Sequence, residues 1–213
     1  AGDGFLYSIA PVLTVTADDS TREYGDANPA FGFTIDTAGL IDGDIIGSAT
    51  SGVADLTTSA TQSSDVGSYT ITAAQGTLAS DLGYGFTFND GMLDITQAAL
   101  DVSLVNATPS RLQGEPNPDF TLDFDGFKLG QDERVIDTLP VASTTAGSNS
   151  GSGQFPITLA GGSDNNYLLN FTNPVGTLSV DAQIGLPSSF EQRREGIGLN
   201  MDVDDTPTFQ KST

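Results

Sequence analysis

Clustered Asp and Asn residues are the feature of this sequence best suited to chemistry, because carboxylate and amide oxygens are the ligands that Ca²⁺ prefers. None of these clusters has the EF-hand order, since the sixth position counted from Asp123 is Lys128, where that loop needs a Gly. Asp and Asn at strand ends also serve to build turns. Calcium is therefore the one cofactor that the sequence leaves open, and its candidate ligands are Asp42, Asp44, Asp123, Asp125 and Asp164.

The sequence lacks the side chains that most other catalytic and metal sites need. The chain has no His and no Cys, which excludes Ser-His-Asp and Cys-His nucleophiles, His-ligated zinc and disulfides. A Ser-Lys pair would have to use Lys128 or Lys211, and both fall in a predicted loop or tail. Paired carboxylates for sugar hydrolysis need a cleft that shifts their pKa, whereas a solvated acidic surface explains the acids more simply. We expect a protein that is not an enzyme.

The charge balance restricts the partners. There are 28 acidic residues against 7 basic ones, for a net charge of −21. Such a surface repels the phosphates of nucleic acid and of anionic membranes. No apolar run approaches the roughly 18 residues of a membrane span. We therefore expect neither nucleic acid binding nor membrane insertion, and an acidic, Lys-poor and Cys-free chain is typical of exported bacterial proteins.

A turn motif occurs twice. Residues 24–31 read Tyr-Gly-Asp-Ala-Asn-Pro-Ala-Phe, and residues 113–120 read Gln-Gly-Glu-Pro-Asn-Pro-Asp-Phe. The two glycines are 89 residues apart, and an Arg precedes each glycine by three positions. A local motif repeated at this separation indicates two copies of one module. Because Gly and Pro restrict backbone shape before anything else, we interpret the motif as structural. Its residues are Tyr24, Gly25, Asn28, Pro29, Gly114, Asn117 and Pro118.

Apolar alternation surrounds both motifs and predicts short strands. In the first copy it covers Leu13–Ala17, Phe31–Ile35, 53–60, 66–72, 84–88 and 92–96, and the same order returns from Leu100. The predicted modules span 11–97 and 98–181, joined end to end by the short linker Gln97-Ala98-Ala99. We interpret residues 1–10 as a lead-in from a preceding module. The acidic residues 182–213 are interpreted as a tail that is partly disordered or docks on a neighbour.

These patterns predict an all-β protein of two tandem antiparallel β-sandwich modules, Ig-like in general shape, each with six or seven strands. The alternative is a β-grasp-like module in which residues 39–46 form the helix.

The first module resembles a known family. Its residues 13–19, the Tyr24-Gly25 turn, Gly39-Leu40 with Asp42-Gly43-Asp44, residues 66–72 and residues 91–96 resemble the MBG domains of the YGX/YDG type. Such domains occur as tandem repeats in large bacterial adhesins, including filamentous-haemagglutinin-like proteins. The resemblance extends over residues 11–181. The second module departs from it, because Gln113 replaces the Tyr and Phe155 stands where Tyr69 was.

This resemblance implies a non-enzymatic spacer or adhesive segment of a secreted or cell-surface bacterial adhesin, active in adhesion, biofilm or matrix attachment. Its partners would be a host or matrix receptor or neighbouring adhesin modules. Two other functions stay open. One is a fibre subunit that self-assembles by strand addition. The other is a carbohydrate- or protein-binding module that uses loops such as 143–153.

Overall fold

A computed structural model describes residues 10–183 of the chain. Residues 1–9 and 184–213 are outside this range. The predicted lead-in, residues 1–10, and the predicted tail, residues 182–213, therefore lie outside the described residues except for residues 10, 182 and 183. In the described part no helix is long and apolar enough to cross a bilayer.

The first set of strands runs from Val12 to Thr96. A 3-10 turn, Thr37–Gly39, and the four-residue helix α1, Ile46–Ala49, interrupt it. The strands, in chain order, are β1 (Val12–Ala17), β2 (Ser20–Glu23), β3 (Phe33–Ile35), β4 (Asp55–Thr58), β5 (Gly67–Ala74), β6 (Gly85–Asn89) and β7 (Gly91–Thr96).

The second set repeats this order from Ala98 to Asp181, with a 3-10 turn at Glu133–Val135. Its strands are β8 (Ala98–Leu104), β9 (Ser110–Leu112), β10 (Leu122–Asp125), β11 (Val141–Thr144), β12 (Gly153–Ala160), β13 (Tyr167–Asn170) and β14 (Gly176–Asp181).

Each set forms one three-stranded and one four-stranded sheet, and the strand orders match. The orders are β3-β1-β6 and β2-β7-β5-β4 in the first set, and β10-β8-β13 and β11-β12-β14-β9 in the second. The all-β prediction is confirmed. The sheets are mixed, however, because β6 runs parallel to β1 and β2 runs parallel to β7, as do their counterparts in the second set. The β-grasp alternative is wrong: residues 39–46 form no helix that packs across a sheet, and the module has two sheets.

Alternation places one apolar face of each sheet inside. Leu13, Val15 and Ala17 of β1 are buried, with their Thr neighbours half-buried between them. Leu93 and Ile95 of β7 alternate in the same way. The inner faces therefore pack on each other and form the core of each module.

Two local predictions need correction. Strands β2 and β9 lie where only a break and a turn were predicted, and each pairs in parallel with the last strand of its module. The expected linker is shorter than three residues, because Ala98 and Ala99 already belong to β8. Gln97 alone separates β7 from β8.

Candidate functional site

A buried Arg closes the turn of the first module. The guanidinium of Arg22 donates from Nε to Asn28 Oδ1 (2.8 Å), from Nη1 to the carbonyl of Glu23 (3.0 Å) and from Nη2 to the carbonyl of Thr61 (2.6 Å). Asn28 Nδ2 donates in turn to the carbonyl of Ala60 (2.7 Å). All three acceptors of the guanidinium are neutral oxygens, so hydrogen bonds rather than an ion pair hold this charge in a site where Arg22 is only 7 % exposed.

The second module repeats this set of hydrogen bonds around a buried Arg, and we call each set an Arg clasp. Arg111 donates from Nε to Asn117 Oδ1 (2.7 Å), from Nη1 to the carbonyl of Leu112 (3.0 Å) and from Nη2 to the carbonyl of Gly147 (2.6 Å). Asn117 Nδ2 donates to the carbonyl of Ala146 (2.7 Å). The Asn of each turn motif therefore ties its own module together. In the second module the clasp also anchors the loop between β11 and β12.

The Tyr of the motif points elsewhere, into the second module. Tyr24 is 4 % exposed, and its ring meets that of Tyr167 edge to face, with centroids 5.5 Å apart. Its hydroxyl accepts a hydrogen bond from Gln131 Nε2 (3.0 Å), while Gln131 Oε1 accepts one from the hydroxyl of Tyr167 (2.6 Å). The ring of Phe127 also meets the ring of Tyr167 edge to face, with centroids 5.4 Å apart. One Gln side chain thus joins a Tyr from each module.

Gly25 lies directly against the second module. Its φ of +81° suits glycine, and a Cβ added there would overlap Cβ of Lys128 and lie 2.8 Å from its Cγ. The ammonium of Lys128 continues past this glycine to Asp26 Oδ1 (3.0 Å) and Glu23 Oε2 (3.6 Å). The hydrogen bond to Asp26 is the main reason that the pKa of Lys128 is raised above its ordinary value. The aliphatic stem of the lysine packs on the glycine, and its charge meets the acids at the rim.

Asn166 forms a second polar link at the rim of this interface. Its Oδ1 accepts from the backbone N–H of Val66 (2.9 Å), and its Nδ2 donates to Asp65 Oδ1 (2.9 Å). Gln97, at the junction, donates from Nε2 to the carbonyl of Asp164 (2.9 Å). The interface therefore combines an aromatic centre with hydrogen bonds at its edge.

The apolar core is continuous across this interface. One cluster of buried side chains includes Ala17, Tyr24, Ile71, Leu93 and Ile95 from the first module and Ala98, Leu100, Ile136 and Tyr167 from the second. The other three clusters each stay within one module. Separation of the modules would expose a part of the protein interior rather than a wet surface.

The second copy of the turn lacks this role in the described residues. Gln113 replaces Tyr24 and is exposed, and Gly114 is exposed with a φ of +91° and nothing within 4 Å of an added Cβ. The same backbone turn is therefore buried between modules in one copy and faces outward in the other.

The calcium candidates are spread over separate places. Asp44 Oδ2 accepts from the Tyr84 hydroxyl (2.8 Å), and the Asp164 carboxylate accepts from the backbone N–H groups of Asn166 (2.7 Å) and Tyr167 (2.8 Å). Asp123 and Asp125 lie exposed on β10, and Asp42 has a positive φ of 56° in its turn. Across residues 10–183, no three His, Cys, Asp or Glu side chains come close enough to hold a metal ion.

Sequence reasoning missed the residues of the second module that hold Tyr24. The sequence points to Lys128 only as a possible base and as the residue that breaks the EF-hand order, and it does not single out Gln131. The difference between Gln131 and its counterpart Asp44 in the first copy is the signal that could have drawn attention to this turn. As the counterpart of Tyr84 in the first copy, Tyr167 falls in a strand that the repeated pattern predicts for the second. Burial raises its pKa, which keeps its hydroxyl a neutral hydrogen-bond donor.

Comparison with known proteins identifies the modules. The model of the MBG domain (YGX type) matches residues 13–94 and again residues 102–179. No curated protein matches the chain. The two matches include both Arg clasps and both turn motifs, and together they cover well over half of the sequence. The chain therefore belongs to the MBG domain family of the YGX type, which it contains in two tandem copies.

Proposed function

We propose that this chain is a non-enzymatic spacer and adhesive segment of a large exported bacterial surface adhesin. The observation that carries the proposal is the interface around Tyr24, where the cores of two MBG domains merge. Neighbouring domains in one chain move relative to each other by default unless their interface is large and apolar. An aromatic, buried interface with a junction of one residue favours a fixed angle between the modules, which a spacer requires.

Charge supports the same proposal. A net charge of −21 keeps such a segment soluble and disfavours unspecific association with nucleic acid and anionic membranes. We place the segment on the bacterial surface or outside the cell, with a host or matrix receptor or neighbouring adhesin modules as partners.

Rigidity can be measured in the full chain. Cys is absent, so Thr87→Cys and Asn170→Cys provide two unique spin-label sites at equivalent exposed positions of β6 and β13. Pulsed dipolar spectroscopy should give one narrow distance distribution. Tyr24→Ala should broaden it, whereas Gln113→Ala, at the exposed equivalent position, should leave it narrow. A broad distribution in the parent chain would sink the spacer proposal.

Adhesion needs its own measurement. Beads coated with the full chain are compared with albumin-coated beads for retention on immobilised collagen, fibronectin and mucin. Retention that saturates supports the adhesive part. If it disappears when the exposed Ser148, Asn149 and Ser152 are all replaced by Gly, the binding site lies on the loop between β11 and β12. Retention no better than albumin leaves a spacer without adhesive function.

A further inference from the structure

The first module carries, at its opposite end, a counterpart of the surface that holds Tyr24. In the second module the Tyr167 hydroxyl accepts from the backbone N–H of Lys128 (2.9 Å) and donates to Gln131. In the first module the Tyr84 hydroxyl accepts from the N–H of Ile41 (2.9 Å) and donates to Asp44 Oδ2 (2.8 Å). Tyr84, Ile41 and Asp44 therefore occupy the positions of Tyr167, Lys128 and Gln131.

The backbone of the two turns agrees as well. Asp42 and Leu129 both have positive φ, at 56° and 57°, and each is followed by a glycine of positive φ, Gly43 at 82° and Gly130 at 68°. A non-glycine residue in this region is uncommon, and its occurrence at both equivalent positions shows that the two turns have one shape.

Within residues 10–183, this end of the first module exposes large apolar side chains around Tyr84, which is itself buried (6 % exposed). Ile41 is 49 % exposed and Ile45 67 %, and Val12 and Leu82 beside the same end are exposed too. Large apolar side chains gathered at one end of a domain indicate an interaction surface. We call the surface formed by Val12, Ile41, Asp44, Ile45, Leu82 and Tyr84 the acceptor face.

We propose that the acceptor face binds the Tyr-Gly turn of another MBG domain, in the geometry in which the second module binds Tyr24 and Gly25. The incoming Tyr hydroxyl would donate to the Asp44 carboxylate, where Gln131 donates to Tyr24 in the known interface. The side chain of Ile41 would cover the incoming glycine, as the stem of Lys128 covers Gly25.

The turn that binds the acceptor face need not match the Tyr24 turn in one respect, the acid after the glycine. Lys128 pairs with Asp26 and Glu23 across the known interface, but Ile41 carries no charge to pair with an acid after the glycine. The acceptor face therefore selects for Tyr-Gly and does not require that acid. The second module of another copy does not fit, because it presents Gln113, and the Tyr24 of another copy is already buried. The partner is a domain with an uncovered Tyr-Gly turn.

Duplication in place tests this inference in the full chain. Residues 11–97 are inserted a second time directly after residue 97, so that the first copy presents Tyr24 to the acceptor face of the middle copy. Spin labels on Thr87→Cys in the first and middle copies report their arrangement. We expect one narrow distance distribution, with the mean found for labels at positions 87 and 170 of the parent chain.

Matched variants test whether a narrow distance distribution depends on the acceptor face. Ile41→Asp in the middle copy and Tyr24→Ala in the first copy should each broaden the distribution at least twofold, and Asp26→Ala in the first copy should not. Because Ile41 is exposed, its variant is expected to fold, and circular dichroism checks this. Tyr24→Ala in the middle copy should loosen only the last module. A broad distribution before any substitution, or a narrow one that survives both disrupting variants, would overturn the proposal.

Discussion

The ring of Tyr24 meets the ring of Tyr167 edge to face, with centroids 5.5 Å apart and planes inclined by 78°. Such pairs contribute about 0.5–1.5 kcal/mol beyond the area they bury. The two residues belong to different modules, so the motif that names this domain type serves two purposes. Asn28 ties the turn to its own module through Arg22, and Tyr24 ties that module to the next.

The glycines of the two turns offer a matched pair of substitutions. Gly25→Ala and Gly114→Ala both place a side chain at positive φ, which costs about 1 kcal/mol. Only at Gly25 does the new Cβ also overlap Lys128 of the other module. We expect Gly25→Ala to be the more destabilising in urea denaturation and to widen the distance distribution between positions 87 and 170. Equal losses and an unchanged distribution would contradict the packing of Lys128 on Gly25.

The Arg clasps are expected to stabilise the modules strongly. Arg22→Ala removes three hydrogen bonds and leaves buried acceptors without donors, which we expect to lower the free energy of unfolding by about 3 kcal/mol. Arg111→Ala should act similarly on the second module. Lysine should not rescue either site, because one ammonium lacks the planar fork of donors.

Arg134→Ala is the control for this prediction. Arg134 is 84 % exposed and pairs with Asp132 at the surface, so its loss should cost less than about 1 kcal/mol. Chemical denaturation of the three variants under one set of conditions gives the comparison. A clasp variant as stable as Arg134→Ala would refute the structural role of the clasp.

Alkaline pH should weaken the contact between the modules. The pKa of Lys128 is raised by its hydrogen bond to Asp26, and the pKa of Tyr167 is raised by burial. A folded-state pKa above the unfolded value gives stability that is complete below the unfolded value and is lost as pH rises through the folded one. The losses should therefore begin above the ordinary values of 10.0 for Tyr and 10.5 for Lys.

Thermal unfolding between pH 8 and pH 11.5 measures this effect. Tyr167→Phe and Lys128→Met should each lose less stability over that range than the parent chain does. Burial also raises the pKa of Tyr84. This residue is present in both variants and accounts for part of the stability that they still lose. Identical pH profiles for parent and variants would contradict the assignment.

Substitution of Asp164 distinguishes the calcium hypothesis from a structural role of this residue in a turn. Its carboxylate accepts backbone N–H groups of Asn166 and Tyr167 and also of Asp137 (3.2 Å). Asp164→Ala should destabilise the second module by about 1–3 kcal/mol, equally in millimolar calcium and in chelator, because those N–H groups lose their acceptor. Stabilisation of the parent chain by calcium, absent in the variant, would instead establish a metal site at Asp164.

The sequence by itself determined the all-β class, the duplication and the turns. Alternation such as Leu13, Val15 and Ala17 is local, and a Gly of positive φ leaves a local signal too, so residue types at short range were sufficient. The Arg that precedes the glycine of each turn by three positions was visible as part of the repeat, although its hydrogen bonds were not.

Only the tertiary structure decided the parallel pairs and the interface. Strands β2 and β9, of four and three residues, are too short for a periodic signal, and their partners lie at the far end of each module. The hydrogen bonds of Lys128 to Asp26 and of Gln131 to Tyr24 join residues 102 and 107 positions apart. No local pattern encodes a contact at that separation, because it exists only when two folded modules, linked by Gln97 alone, bring their surfaces together.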